Sequence, residues 1–239
     1  MFLLGLCDKV IKKKNEETYM EIYNITIDGP CGSGKTTIAK AVAEKLNIAY
    51  LDTGAMYRSI AYYCYKHNID VTNDSDVKAV LGDIALELKQ IDGLQHMIVN
   101  GEDITSLIRT QEISMLASTV SKIPAVRLKL VDMQRDVARS LSCVVDGRDI
   151  GSYVLPDAEF KFYLTADADE RAKRRYLELK DKSNTSIEKV KAEMIARDEQ
   201  DSKRAFAPLV VPKGAYVVDT TNLTFDEVLD IVLREINKK

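Results

Sequence analysis

Residues 29–36 read Gly29-Pro30-Cys31-Gly32-Ser33-Gly34-Lys35-Thr36, and this stretch decides the fold. It matches GxxxxGK[ST] at every fixed position. Ahead of it, Ile22–Ile27 is rich in β-branched residues and reads as a strand whose end is Asp28. Behind it, Lys35–Leu46 reads as a helix. A strand, a glycine-rich turn and a helix N-terminus in this order form a cradle for phosphate. The glycines let backbone N–H groups curl around phosphate oxygens without a Cβ in the way. The helix N-terminus adds its dipole. Lys35 is placed to neutralise the β- and γ-phosphates of a nucleoside triphosphate, and the Thr36 hydroxyl to coordinate Mg²⁺. Cys31 fills a variable loop position, and its thiol reads as loop filler rather than as a redox group.

Outward from the loop, strand and helix patterns alternate. Short apolar runs at Ala49–Leu51, Cys143–Val145, Phe160–Leu164 and Tyr216–Val218 suit buried parallel strands. Helical patterns run from about Ala55 to Lys66 and over Thr110–Lys122, Ala125–Leu141, Asp169–Lys180, Ser186–Ser202 and Phe225–Ile236. Capping boxes are expected at Thr185/Glu188 and Thr224/Glu227. The expected architecture is α/β, a parallel sheet with helices on both faces. Leu86–Gln90 and His96–Val99 flank Asp92-Gly93 and predict a small antiparallel hairpin inside an insertion from the sheet's carboxyl edge.

Composition sets the bounds. The 239 residues are 46% hydrophobic and 30% charged, enough for one large domain with a buried core. The net charge of −3 argues against a nucleic-acid polymer or an anionic membrane as the main partner. Four cysteines without a CxxC pair fit a reducing cytosol, so a cytoplasmic protein is expected. No run is apolar enough to span a bilayer. The opening segment has a short apolar run followed, not preceded, by lysines; residues 1–20 read as a loose extension, and Met20 as a candidate start.

A phosphate loop alone does not separate kinase, switch GTPase and motor. The base-reading N/T-K-x-D of a GTPase is missing from the sequence. The question is then what accepts phosphate, and in open α/β sheets ligands bind beyond the strands' carboxyl ends. Thr53 and Arg58 follow the second strand; a helix cap with a solvated arginine fits that segment equally well. Asp146, Arg148 and Asp149 end another strand, and Asp146 resembles a Walker B acid near Mg²⁺. Three charges at a buried strand end cost desolvation unless a ligand or an ion pair meets them. Arg171, Arg174 and Arg175 stand at i, i+3, i+4 on one helical face, which suits either a polyphosphate or a solvated basic face. Arg197, Asp201 and Arg204 at i, i+4, i+7 also share a face; as a mere ion-pair ladder they are worth about 0.3–0.5 kcal/mol per pair. His67 and His96 carry no partner pattern and read as surface residues.

In chain order the sequence holds the phosphate loop, Asp52-Thr53-Gly54-Ala55-Met56-Tyr57-Arg58, Ile108-Arg109-Thr110-Gln111-Glu112, Asp146-Gly147-Arg148-Asp149-Ile150-Gly151, Glu170-Arg171-Ala172-Lys173-Arg174-Arg175 and Arg197-Asp198-Glu199-Gln200-Asp201-Ser202-Lys203-Arg204-Ala205. That succession, from about Ile22 to Ile236, resembles the bacterial-type cytidylate kinases of the nucleoside monophosphate kinase group. The resemblance implies a P-loop kinase fold with a central five-stranded parallel sheet, over residues 21–239. It also implies a nucleoside-monophosphate insertion over 54–109 and a lid over 167–184. The implied reaction moves the γ-phosphate of ATP to CMP or dCMP, with Mg²⁺, in pyrimidine nucleotide metabolism. Residues 29–36 with Thr37, Arg171 and Arg174 would hold ATP; Thr36, and Asp146 through water, would hold Mg²⁺. Thr53, Arg58, Arg109, Arg148, Asp149, Arg197, Asp201 and Arg204 would hold the acceptor; Lys35, Arg148, Arg171 and Arg175 would serve catalysis. A monomer is expected. Open alternatives are a kinase for UMP, dTMP, AMP or shikimate, and a nucleotide-gated binding protein without an acceptor.

Overall fold

In the computed structural model, which describes residues 11–14, 17–20, 22–91, 94–180 and 185–238, strand and helix alternate as the apolar runs predict. The expected turn at Asp92-Gly93, residues 181–184 of the expected lid and residues 1–10 lie outside the described residues. Within the segment expected to be a loose extension, β1 (Ile11–Lys14) pairs antiparallel with β2 (Glu17–Met20).

The main body starts with β3 (Asn24–Asp28), the phosphate loop and α1 (Lys35–Leu46). Then come β4 (Ala49–Asp52) and α2 (Thr53–Lys66). A short helix α3 (Asp74–Val80), which the periodicity did not announce, precedes β5 (Leu86–Ile91) and β6 (Leu94–Val99). These two form the predicted hairpin in the register Leu86 opposite Val99, and a third strand, β7 (Glu102–Asp103), extends it. Two residues are too few for a pattern of period two to show, so β7 escaped the sequence reading. The chain returns through α4 (Gln111–Val120) and α5 (Pro124–Ser140), the latter opened by a proline that lacks only an orphan N–H. After β8 (Cys143–Gly147) comes one wide π turn (Ile150–Val154). β9 (Phe160–Thr165), α6 (Ala168–Leu179), α7 (Ile187–Ser202), β10 (Tyr216–Asp219) and α8 (Phe225–Ile236) complete the chain.

β3, β4, β8, β9 and β10 form one parallel five-stranded sheet in the spatial order β4-β8-β3-β9-β10. β3 is central, so the phosphate loop leaves from the middle of the sheet's carboxyl edge. The two cores lie on opposite faces, and β8 shows why its run is apolar throughout. Val144 joins Ile25, Ile27, Phe162 and the buried faces of α1 and α8. Cys143 and Val145 join Leu51, Leu130 and the buried faces of α2, α4 and α5.

The caps refine the sequence reading. Thr224 and Glu227 form the expected capping box. At α7 the cap is Ser186, whose side chain accepts the Lys189 N–H, one residue beyond the expected Thr185. Either hydroxyl suits the role by type; only the backbone path selects one. His96 is not partnerless, since its Nδ1 lies 2.6 Å from the Asp103 carboxylate across the β6–β7 pair, and His67 stacks on Tyr63.

Candidate active site

The phosphate loop leaves β3 at Asp28 and bends at Gly29 and Gly32. A Cβ on Gly29 (φ +153°) would stand 2.1 Å from the Leu164 carbonyl oxygen, and one on Gly32 (φ +75°) 2.8 Å from that of Arg171. Only glycine allows the loop to lie this close to β9 and α6. Lys35 is buried at the start of α1, and its Nζ donates to the Pro30 carbonyl at 3.1 Å. Burial pulls its pKa down to about 8, and the Arg148 charge acts in the same direction. Thr36 and Thr37 stand exposed on the first turn.

Beside the loop, the end of β8 carries Asp146. Its carboxylate accepts the Thr36 hydroxyl at 2.5 Å and the Tyr50 hydroxyl at 3.0 Å. Burial, then the nearby Asp52 charge, raises its pKa to about 6. Thr53, expected to offer its hydroxyl to an acceptor, donates it to the Asp146 carbonyl at 2.8 Å and so fastens α2 to β8. Asp52 caps α2 through the Ala55 N–H and pairs with Arg58 at 2.9 Å. The cap reading and the arginine reading therefore both hold at this position. Burial works to raise the Asp52 pKa, yet Arg58, the Ala55 N–H and Arg109 together hold it below the ordinary carboxylate value. Arg109 is exposed where the insertion returns, close enough for its charge to act on Asp52.

The remaining arginines converge from three further elements. Arg148 reaches from β8 to Asp201 near the end of α7, Nε to Oδ2 at 3.1 Å. Arg204 lies past the helix end, not on the α7 face that the spacing suggested; its Nε donates to the Asp201 carbonyl at 3.2 Å. Asp201 thus serves Arg148 and Arg204 instead of forming a ladder with Arg197. Among the described residues, the buried Nε of Arg197 and one buried Nη of Arg204 have no hydrogen-bond partner, the latter lying 3.9 Å from the Asp201 carboxylate. Burial, then the Arg148 charge, lowers the pKa of Arg197, and its charge in turn acts on Lys35. Burial raises the Cys31 thiol, but Arg197, Arg148, Lys35 and Arg175 together hold it below its ordinary pKa. Four cations crowd that point, and unpaired buried N–H donors cost free energy that an anionic ligand recovers.

The three arginines of α6 do not act alike, although they share a face by spacing. Arg171 pairs with Asp198 and donates to the Cys31 carbonyl at 2.9 Å, while Asp198 accepts the Cys31 N–H at 3.0 Å. Cys31 of the phosphate loop is therefore gripped at its N–H by α7 and at its carbonyl by α6. Arg174 turns to Glu170 and to the Thr220 hydroxyl and carbonyl, and Thr220 in turn donates to the Ser33 carbonyl. Arg175 pairs with Glu178 on the half-exposed side.

Two groups escaped the sequence reading. Arg127 is 1% exposed, pairs with Asp149, and lies 5.6 Å from the Tyr57 ring centre and 5.8 Å from that of Phe206. Its Nε has no hydrogen-bond partner among the described residues. A signal was available: Arg127 shares the buried face of α5 with Leu130, Val131 and Ala138 at helical spacing. Asp28 is 0% exposed, and its two carboxylate oxygens accept the Ile150 and Gly151 N–H groups at 2.8 and 2.7 Å. Finally, α7 is moored to α4 through Gln200 and Ser118 and through Gln111 and Glu193. Its charged residues are thereby set against the returning insertion.

A family model described as cytidylate kinase matches residues 25–238. The cytidylate kinase of Clostridioides difficile strain 630 is 47% identical over 214 residues, 89% of this chain and 97% of its own. That of Caldicellulosiruptor saccharolyticus is 48% identical over 215 residues, 90% of this chain and 95% of its own. That of Halalkalibacterium halodurans is 42% identical over 221 residues, 92% of this chain and all of its own. Among solved structures, an uncharacterized protein from Eubacterium ventriosum shares the fold at a TM-score of 0.54 and 14% identity, covering 92% of this chain and 100% of its own. With the family model spanning nearly the whole main body and close relatives matched almost end to end, the chain belongs to the cytidylate kinase family.

Proposed function

We propose that the γ-phosphate of ATP, seated in residues 29–37, is passed to CMP or dCMP held among Arg58, Arg109, Arg148, Arg197 and Arg204. The overall reaction, ATP plus (d)CMP giving ADP and (d)CDP, is that of the family. The carrying observation is the convergence of Lys35, Arg148 and Arg197, whose charges act on one another although they come from α1, the loop after β8 and α7. Such crowding is costly without an anion, and two phosphate-bearing substrates supply one on each side.

The acceptor phosphate is already anionic, so in-line attack on the γ-phosphorus needs no strong general base. Positioning and charge stabilisation carry the catalysis. Arg148, held by Asp201, would grip the acceptor phosphate; Arg197 and Arg204 would meet it with their unpaired N–H groups. The Arg127–Asp149 pair, enclosed by Tyr57 and Phe206, would line the side where the planar base lies. Arg171 and Arg175 would stabilise the phosphates from α6. The insertion of residues 54–109 and the lid of residues 167–184 would close over both substrates and exclude water. Mg²⁺ fits beside the loop, because the Thr36 hydroxyl and Asp146 carboxylate offer paired hard oxygen donors. When bound, it neutralises charge on the β- and γ-phosphates.

The test is an acceptor panel with labelled ATP. CMP and dCMP should give diphosphate products fastest, ahead of UMP, AMP and shikimate. ATP binding with no phosphorylated acceptor would favour a nucleotide-gated binder and end the proposal.

A further inference from the structure

We propose that Asp28 is a positioning residue for acceptor binding: its carboxylate holds the loop carrying Arg148 and Asp149 in register with the phosphate loop. The inference rests on the reading of Arg148 as a group that grips the acceptor phosphate. Asp28 is the last residue of β3 and is followed at once by Gly29, the first residue of the phosphate loop. One carboxylate oxygen accepts the Ile150 N–H and the other the Gly151 N–H, at 2.8 and 2.7 Å. These are the first two residues of the π turn, immediately after Arg148-Asp149. A single buried side chain therefore spans the donor and acceptor loops.

The rest of the turn is built to the same end. Arg135 on α5 donates to the Tyr153 and Val154 carbonyls, both at 3.0 Å. An anion at the N–H end and a cation at the carbonyl end match the dipole of the turn. A Cβ on Gly151 would come within 2.7 Å of the Thr26 hydroxyl oxygen, so the turn lies directly on β3. Within this packing a shift of Asp28 carries the Arg148 backbone with it.

The ionisable groups acting on Asp28 are Asp149 in the same loop and Lys35 on α1, and Asp28 in turn acts on Tyr163 of β9. Burial, set against the two N–H bonds, raises the Asp28 pKa from 3.8 to about 7. The ionised form accepts both N–H groups. As the pH falls through about 7, one oxygen takes up a proton and becomes the weaker acceptor, which loosens one of the two bonds.

Asp28→Asn is the test, since it keeps the shape but turns an NH₂ toward one of the two N–H groups. We expect the KM for CMP to rise about tenfold or more. The Kd for ATP, measured without CMP, should stay within about twofold. In the wild type, kcat/KM for CMP should fall below pH 7 by more than the ionisation of the CMP phosphate near pH 6 explains, and the Asn variant should lose that excess. An unchanged CMP KM, or CMP KM and ATP Kd rising in parallel, overturns the inference. If the Asn variant does not fold, the wild-type profile decides, and one that follows CMP ionisation alone overturns it too. A wild type that does not phosphorylate CMP removes the acceptor reading and this inference together; an active wild type with an indifferent Asn variant removes the inference alone.

Discussion

On the proposed assignment, the donor and acceptor sides are built on different principles. The donor side is a continuous loop of main-chain amides leaving one central strand, and its shape depends on close approaches at Gly29 and Gly32. The proposed acceptor side gathers guanidinium groups from α2, α5, α7, the loop after β8 and the chain past α7, three of them paired with an aspartate: Arg58 with Asp52, Arg127 with Asp149, Arg148 with Asp201. The first uses dipoles, which need no counter-charge. The second uses full charges, which must be held apart before a ligand arrives and so carry their own carboxylates. Arg197 and Arg204 each keep an N–H without a hydrogen-bond partner among the described residues, while the Asp201 carboxylate bonds Arg148.

The comparison can be broken, most forcefully, at Lys35. Lys35→Ala should lower kcat by about a thousandfold or more, with the melting temperature near that of the wild type; a coupled ADP assay and a thermal scan read both. Near-native turnover would strip the loop of its role. Next comes Arg148→Ala, for which kcat/KM for CMP should drop about a hundredfold or more while KM for ATP changes little. Equal losses on both substrates would erase the division into two sides. Arg204→Ala should raise the CMP KM about tenfold, less than Arg148 because its Nε is already used on the Asp201 carbonyl. Unchanged CMP kinetics would place Arg204 outside the acceptor side. An effect of similar size concerns pH. On that assignment Lys35 meets phosphate as a cation, and burial lowers its pKa to about 8. ATP affinity should therefore weaken as pH rises from 7 to 9, by about tenfold once Lys35 is mostly neutral. Calorimetry showing a flat profile would mean that the ligand restores the Lys35 charge at no cost.

The same contrast explains what the sequence made legible. The phosphate loop could be read because all of its determinants are consecutive, and the sheet because each strand is a short apolar run beside a helix. The arginines of the acceptor side were visible as motifs, but their partners were not. Arg148 finds Asp201 53 positions away, and Cys31 finds Asp198 167 positions away. Helical spacing assigned Asp201 to Arg197 and placed Arg204 on the helix; the chain breaks α7 at Ser202, and that assignment fails. Arg127 was hidden because an arginine within an amphipathic pattern resembles a solvated one until its neighbours on the buried face are counted. Asp28 was hidden by its position, since the residue before a phosphate loop reads as the end of a strand.

Strand β8 imposes one further constraint. Cys143 and Val145 serve one core, Val144 the other, and Asp146, Gly147, Arg148 and Asp149 follow without a spacer. Inserting or deleting one residue there would exchange the faces of the side chains beyond it and turn Arg148 away from Asp201. Evolution can vary which apolar residue fills each place in that run far more freely than it can vary how many there are.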